Sequence, residues 1–510
     1  MCVAAADHCR VYALQMQHTE NPGDIATFLT VVGKARFEYP MRWLPGLTVP
    51  HPAHVLAVAC VAASAILGCN GTRSGATAPS SGSSGGTSPA AGAGGGGNGG
   101  AGVTGSGGIS VGGSAGIAAT SGTSTGSAIE AACGPAPVGS FARCTKNPLL
   151  RAGATTADGR VELSIGDPDV FFDEDEGVWK AWWSTGVAPA FSAPDAQIQM
   201  GIKYATSLDG ATWSVQQPLT IQAEPGSGAW DQLKLETPSV AKIPWNSSER
   251  RYLLAYAGAQ AQRTVDLGGS QIDVPWYQIG VAFSADGKTF ARLPASESPY
   301  ANASTGFASV DGLVLLGKDA FPDLPGVADG LLADPELVVD GDTIHLFFSS
   351  MPVNAQMQPL AYGVSHATSK DGIHFTLQPN NPQVSGAAQP SVVKDPTNGV
   401  WELFYVSDTD QEKATEPSTF NPFLGVFRST STDLSTWSAK PAQRYFTWDP
   451  NSPAEIYGLI AAGDMALRDG IHRYYYPGWS SNNVPAGFVC PLQDGSYPPA
   501  VIVLDLAIRR

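Results

Sequence analysis

Positive charge is in short supply in this 510-residue chain: Lys and Arg number 29 against 45 Asp and Glu, a formal net charge of −16. That balance excludes the broad basic face that nucleic-acid binding needs, and it disfavours attraction to anionic lipid by charge alone. Long helical periodicity is missing, so the body of the chain is not a helical one. The eight histidines show no spacing typical of a zinc site. No glycine-rich loop leads into a helix as phosphate cradles require. No metal or cofactor is therefore expected, and a structural central ion such as calcium is not something these residues can specify. Cysteine is sparse, at seven.

An uncharged apolar run, residues 55–67, is 13 residues long. It falls short of the ~20 needed to span a bilayer and fits the core of a signal peptide. The phrase that follows, Ile66-Leu67-Gly68-Cys69, resembles the bacterial lipobox, which implies lipidation of Cys69 and a mature chain that begins there. Met41-Arg42 supplies a start with a positive flank, leaving 1–40 as an over-extended start or a disordered stretch and 41–69 as the lipoprotein signal. Residues 70–130 are Gly, Ser, Ala and Thr with almost nothing to bury, the composition of a flexible tether. The expected product is exported and lipid-anchored at the cell envelope, on the outer membrane or cell surface. Once Cys69 is acylated, Cys133, Cys144 and Cys490 remain. Three cannot pair completely; one bridge is expected, either Cys133–Cys144 or one of them to Cys490.

What the remainder has in abundance is a repeat. Gly166-Asp167-Pro168-Asp169-Val170, Glu236-Thr237-Pro238-Ser239-Val240, Ala333-Asp334-Pro335-Glu336-Leu337 and Gln389-Pro390-Ser391-Val392 open four copies, and a degenerate Asp464-Met465-Ala466-Leu467 opens a fifth. Aromatic, β-branched stretches such as Val178–Trp183 and Thr343–Phe348 follow each opening across a turn, as hairpins do. Four copies close on Ser-x-Asp turns at Ser207, Ser284, Ser369 and Ser431, where the aspartate fixes a tight turn and Trp213, Phe290, Phe375 and Trp437 pack between units. These turns resemble the sialidase Asp-box, but its extra residue between Asp and Gly is absent. Repetition of one supersecondary unit predicts an all-β, five-bladed β-propeller over residues 131–510.

In such a ring the openings converge on one funnel. Asp167 with Asp169, Glu236, Asp334 with Glu336, Gln389 and Asp464 would meet there, and carboxylates gathered from separate units repel one another unless function keeps them. Residues 147–510 resemble the five-bladed glycosidases of glycoside hydrolase family 43 and its relatives, families 32, 62, 68 and 130. The likeness rests on Asn147-Pro148-Leu149-Leu150, on Asp167-Pro168-Asp169-Val170 and on the rhythm of the units. It implies an inverting hydrolase acting as a monomer on furanosyl or xylosyl linkages of poly- or oligosaccharides, with Asp167 as general base. Glu236-Thr237-Pro238 looks like the family's acid motif shifted by one blade, and Asp334-Pro335 like its pKa-tuning motif, so Glu236 is expected as general acid and Asp334 as tuner, with the exchanged order standing beside it.

Trp183, Trp230, Trp448, Tyr457 and Trp479 are candidate sugar platforms, since an aromatic face suits the C–H face of a sugar ring. Two other functions stand beside the hydrolase: a non-catalytic propeller that binds glycan or protein, and a family 130-like phosphorylase whose phosphate would be held by Lys203, Lys234 or Arg428.

Overall fold

The computed structural model describes residues 2–5, 8–11 and 127–510, apart from 192, 194–196, 217, 244–247, 267–270, 408–423, 450, 453–454, 456–462, 481, 483 and 485–500. Cys69, Tyr457 and Cys490 lie outside the described residues, as does most of the expected signal and tether. At the front, Cys2–Ala5 pairs antiparallel with His8–Val11.

From the short helix Ala128–Cys133 onward the chain forms five antiparallel sheets. Their innermost strands are Gly166–Asp173, Lys234–Lys242, Asp329–Asp340, Ala388–Lys394 and Asp464–Arg468. Each pairs with the aromatic-rich strand that follows it: Val178–Ala188, Tyr252–Asp266, Thr343–Val353, Trp401–Val406 and Ile471–Ser480. The architecture is the five-bladed β-propeller that the repeat predicts.

The aromatics of those second strands explain why the blades stack. Trp182 and Tyr204 of blade one share a buried cluster with Tyr252 and Leu254 of blade two, and Trp179 and Trp183 share another with Tyr475 and Leu504 of blade five. Each such side chain, fully buried, contributes about 1.5–3 kcal/mol. The Ser-x-Asp turns act as scaffold. Asp209 Oδ1 accepts the N–H groups of Ala211 and Thr212 at 2.8 and 2.7 Å, and Asp286, Asp371 and Asp433 repeat the arrangement. Across blades, Trp182 Nε1 donates to the carbonyl of Gly287 at 2.9 Å and Tyr475 Oη to that of Gly210 at 2.9 Å.

The ring closes by lending the front of the body to the last blade. Ala142–Arg143 and Leu150–Arg151 pair with Val501–Arg509. Between them Asn147 completes the ladder with its side chain, its amide donating to the carbonyl of Leu506 while its oxygen accepts that residue's N–H, both at 3.0 Å. A disulfide, Cys133–Cys144, pins the helix beside this seam, and Arg510 pairs with Glu130 at 2.6 Å.

Candidate active site at the channel mouth

The proline of each opening has no N–H to give to the neighbouring strand, and each ladder skips there: pairing jumps from Gly166 to Asp169, Glu236 to Ser239, Ala333 to Glu336 and Ala388 to Ser391. The residue before the proline turns into the left-handed region, with φ of 46° at Asp167, 52° at Thr237, 49° at Asp334 and 51° at Gln389. Non-glycine residues adopt that conformation at a cost of order 1 kcal/mol or more, and such strain clusters at functional sites. Four equivalent strained residues ring the mouth of the central channel. They line, with Glu336, Ser391, Asp464 and the four prolines, a depression of about 350 Å³ open to solvent.

Two residues further on, the side chains do something different. Val240 N–H donates to Asp169 Oδ2 at 3.1 Å, Leu337 N–H to Ser239 Oγ at 2.8 Å and Val392 N–H to Glu336 Oε1 at 2.8 Å. Met465 N–H donates to Ser391 Oγ at 3.0 Å and Val170 N–H to Asp464 Oδ2 at 2.8 Å. Every blade thus receives the backbone of the next, and the five bonds close into a hoop. Asp169, Glu336 and Asp464, expected as sugar-binding groups, are its carboxyl members. Burial and then the charge of Asp464 push Asp169 and Glu336 well above the ordinary carboxylate range, and burial lifts Asp464 to about 6.

The mouth layer is less satisfied. Oδ2 of Asp167 and both carboxylate oxygens of Asp334 are buried without a hydrogen-bond partner. Burial, then the charges of Asp334 and Glu236, raise Asp167 well above its usual pKa, with the Ser184 hydroxyl acting in the other direction. Burial lifts Asp334 to about 6, Ser349 opposing and Glu236 adding to the rise. The three acids therefore share one electrostatic neighbourhood. Ser184 and Ser349 also accept the N–H groups of Thr237 and Gln389 in the next blade, at 2.7 and 2.8 Å, which ties each serine to a strained turn. A recurrent aromatic-aromatic-Ser phrase, Trp182-Trp183-Ser184 and Phe347-Phe348-Ser349, was the signal by which the sequence could have revealed both.

Glu236 sits one residue before its blade's strained position and is fully buried. Lys234 Nζ lies 2.9 Å from its Oε1, and Tyr277 Oη donates to its Oε2. Both carboxylate oxygens are thereby engaged, and Glu236 does not line the mouth. Tyr277 carries no sequence motif; only the fold brings it there.

The candidate platforms take other positions. Trp183 is buried, its indole N–H on Glu162, and Trp230 is buried with its N–H on the carbonyl of Asp311 and its ring stacked on Tyr256. The indole N–H of Trp448 donates to the carbonyl of Glu455, and Trp479 is buried in the cluster shared by blades five and one. Among the described residues no aromatic lines the mouth. The three candidate phosphate cations are each committed to an acid: Lys203 to Glu162 at 2.9 Å, Lys234 to Glu236, and Arg428 to Glu402. Among the described residues no group of three or more His, Cys, Asp and Glu is placed to hold a metal ion.

No family model and no curated protein matches this sequence. Solved structures do superpose on it. A family 117 glycoside hydrolase from the marine bacterium Zobellia galactanivorans aligns at 15% identity and a TM-score of 0.41, over 72% of this chain and 90% of that one. The arabinanase Arb43A of Bacillus subtilis aligns at 14% and 0.37, over 69% and 95%. A putative glycosidase from Bacteroides thetaiotaomicron aligns at 12% and 0.43, over 72% and 96%. These are likenesses of shape at low identity, and the chemistry of this chain has to be read from its own side chains.

Proposed function

We propose that this chain is a glycoside hydrolase whose two working carboxyls are Asp167 and Asp334. The observation that supports it is their shared situation: two acids from different blades, each on a strained turn, with Oδ2 of Asp167 and both oxygens of Asp334 buried without a partner in hydrogen-bonding geometry and only a serine hydroxyl, Ser184 or Ser349, acting on each. Cleaving a glycosidic bond takes one carboxylic acid to protonate the leaving oxygen and a second carboxylate to activate water. Two like charges held close favour a state in which one is protonated and the other ionised. Asp334, lifted to about 6, suits the proton donor. Burial and the charge of Asp334 also raise Asp167 well above its usual range, so the two compete for one proton; this reading places it on Asp334, and Asp167 then serves as general base. Glu236, expected from its motif as the acid, has both oxygens held by Lys234 and Tyr277; in this reading it takes the tuner's part, a fixed charge that raises its two neighbours. The exchanged order of Glu236 and Asp334 is thus the one adopted.

The substrates we assign are furanosyl or xylosyl side groups, cleaved with inversion, by a protein held at the cell envelope through lipid on Cys69. A panel of aryl arabinofuranosides and xylosides, with arabinan, xylan, fructan and β-mannan, tests the reaction, and proton NMR of the first-formed anomer tests inversion. Retained turnover in both Asp167→Asn and Asp334→Asn would overturn the assignment. Release of a Cys69→Ser variant into the soluble fraction tests the anchor. The absence of a ring at the mouth among the described residues favours a second reading, a propeller that binds glycan without cleaving it. Saturable binding with no product from any member of the panel would select it.

A further inference from the structure

A second cleft lies on the other side of the strand that carries Tyr277. Successive side chains of a strand point to opposite faces. In Gln271–Ser284, Tyr277 turns toward Glu236, while Trp276 and Gln278 line a cleft open to solvent, about 550 Å³ with the open solvent included. Its walls are the long hairpin of blade two, the loop around Thr305–Lys318 and the first residue of blade three, Asp329. Asp329 stands five residues before Asp334 on one strand, roughly 16 Å at ~3.3 Å per residue.

We propose that this cleft binds a carboxylated saccharide, a glycan bearing uronic acid, separately from the mouth. Trp276 is 5% exposed and its indole N–H, buried, has no partner. A buried donor left unsatisfied costs of order 1–3 kcal/mol, which a ligand acceptor would recover. The Arg263 guanidinium lies 5.0 Å over the Trp276 ring and pairs with Asp329, so the cation's charge is already matched while its plane fixes the indole. Gln278 braces the wall, accepting Gly317 N–H and donating to the carbonyl of Gly330. Gln260 donates its amide to the carbonyl of Gly228 at 3.0 Å, leaving its side-chain oxygen as an acceptor for a hydroxyl. Phe307, half-buried, adds an apolar face, and Thr305 a hydroxyl. Lys318 is exposed at the rim and has no acidic partner among the described residues. With Arg263 and Asp329 cancelling, Lys318 leaves the cleft one positive charge on a chain of net charge −16. Few precisely placed polar groups on aromatic walls make a small-ligand site, and the surplus cation selects an acid. The choice of a saccharide rests on the glycosidase reading; the cleft and its charge do not.

Calorimetry on the full-length Asp167→Asn protein, with an oligogalacturonide and a neutral xylo-oligosaccharide of equal length, tests the site without turnover. The acidic ligand should bind 1:1 and about tenfold tighter than the neutral one, which is about 1.4 kcal/mol. Lys318→Ala should erase that preference, and Trp276→Phe should weaken both ligands about tenfold. No heat with either ligand, equal affinity for the two, or affinities unchanged in both variants would each overturn the proposal. Were Asp167→Asn fully active, the glycosidase reading would fail while the pattern across Lys318→Ala and Trp276→Phe would still decide the cleft.

Discussion

Two layers of carboxyls lie two residues apart along the same strands, and the fold treats them in opposite ways. Asp169, Glu336 and Asp464 each accept the backbone of the following blade and hold the ring shut. Asp167 and Asp334, at the strained step just before, face the mouth with Oδ2 of the first and both oxygens of the second lacking a hydrogen-bond partner. All five are buried and all five have raised pKa values, so neither burial nor titration separates scaffold from chemistry here. Hydrogen-bond satisfaction does. Glu336 and Asp464 also border the depression, yet each has one oxygen on a backbone N–H and the other on a serine hydroxyl, which makes them struts; an oxygen at the mouth with no such partner is the one available to a substrate.

The largest expected effect breaks the mouth layer. Asp334→Asn should lower turnover of aryl glycosides by about 10²–10⁴-fold, the usual worth of general acid–base catalysis, with the loss growing as the leaving group becomes poorer. Asp167→Asn should fall as far with no such dependence, and azide should restore part of the lost rate. Neither variant should be less stable in a thermal melt at pH 8, because both remove a charge that burial disfavours. A drop in melting temperature that tracks the lost activity would move these residues into the scaffold.

Asp505 supplies the control, an unsatisfied buried acid with no place at the mouth. Both its oxygens lack partners, and burial followed by the charge of Glu455 raises it to about 8. A raised carboxyl binds its proton more tightly when folded. The stability it lends is therefore complete below the unfolded pKa of about 4 and lost as pH rises through about 8, at a slope of about 1.4 kcal/mol per pH unit. Asp505→Asn should lower the measured slope between pH 5 and 8 by about that amount in denaturant titrations, the other raised carboxyls supplying the rest, and leave turnover at its optimum pH unchanged.

How much of this could be seen in the sequence follows from the same two layers. The repeated Xaa-Pro openings and Ser-x-Asp turns are local chemistry, written in contiguous residues, and they announce the blades and their number. The meeting of Asp167 and Asp334 was legible because equivalent positions in a closed ring must converge; Glu236, one residue off its blade's equivalent position at Thr237, reaches the same neighbourhood from behind the mouth. Asp167 and Asp169 share one opening, and residues i and i+2 of a strand ordinarily share a face. The proline bulge defeats that rule, turning the first into the left-handed region and leaving the second in the ladder. The engagement of Glu236 by Tyr277, 41 residues away, is long-range packing with no local signature. Trp183 and Trp230 went to the core because an indole is large and apolar, and burial is the common outcome for such a side chain.

Breaking the hoop should cost less than breaking the mouth, and should be felt as stability. Asp464→Ala deprives Val170 N–H and the Ser391 hydroxyl of their acceptor, at 2.8 and 2.6 Å in the intact ring. Two orphaned donors at 1–3 kcal/mol each, less the relief of removing a buried acid, give a loss of about 1–4 kcal/mol. Urea titration should show it as a lower midpoint with an unchanged slope. Turnover per folded molecule should stay within a few-fold of the parent; a hundredfold loss would give Asp464 a part in the chemistry beside its part in the hoop.

The smallest effect sharpens the role of Glu236. Were it the proton donor, Glu236→Gln would lose about 10²–10⁴-fold on substrates with poor leaving groups and little on good ones. As a fixed charge its removal acts differently, because Glu236 is one of the causes that raise Asp334. Without it Asp334 gives up its proton at lower pH. Activity that depends on the protonated acid is present below that pKa and falls as pH rises through it, so the alkaline limb of the pH–rate profile should move to lower pH. Turnover at the new optimum should change only a few-fold and by the same factor for good and poor leaving groups. Lys234, left beside a neutral amide, would leave some stability lost as well. A Glu236→Asp variant keeps the charge while shortening the reach, and it should return the limb toward its original position. A limb that stays fixed in Glu236→Gln would show that the three acids do not titrate as one group.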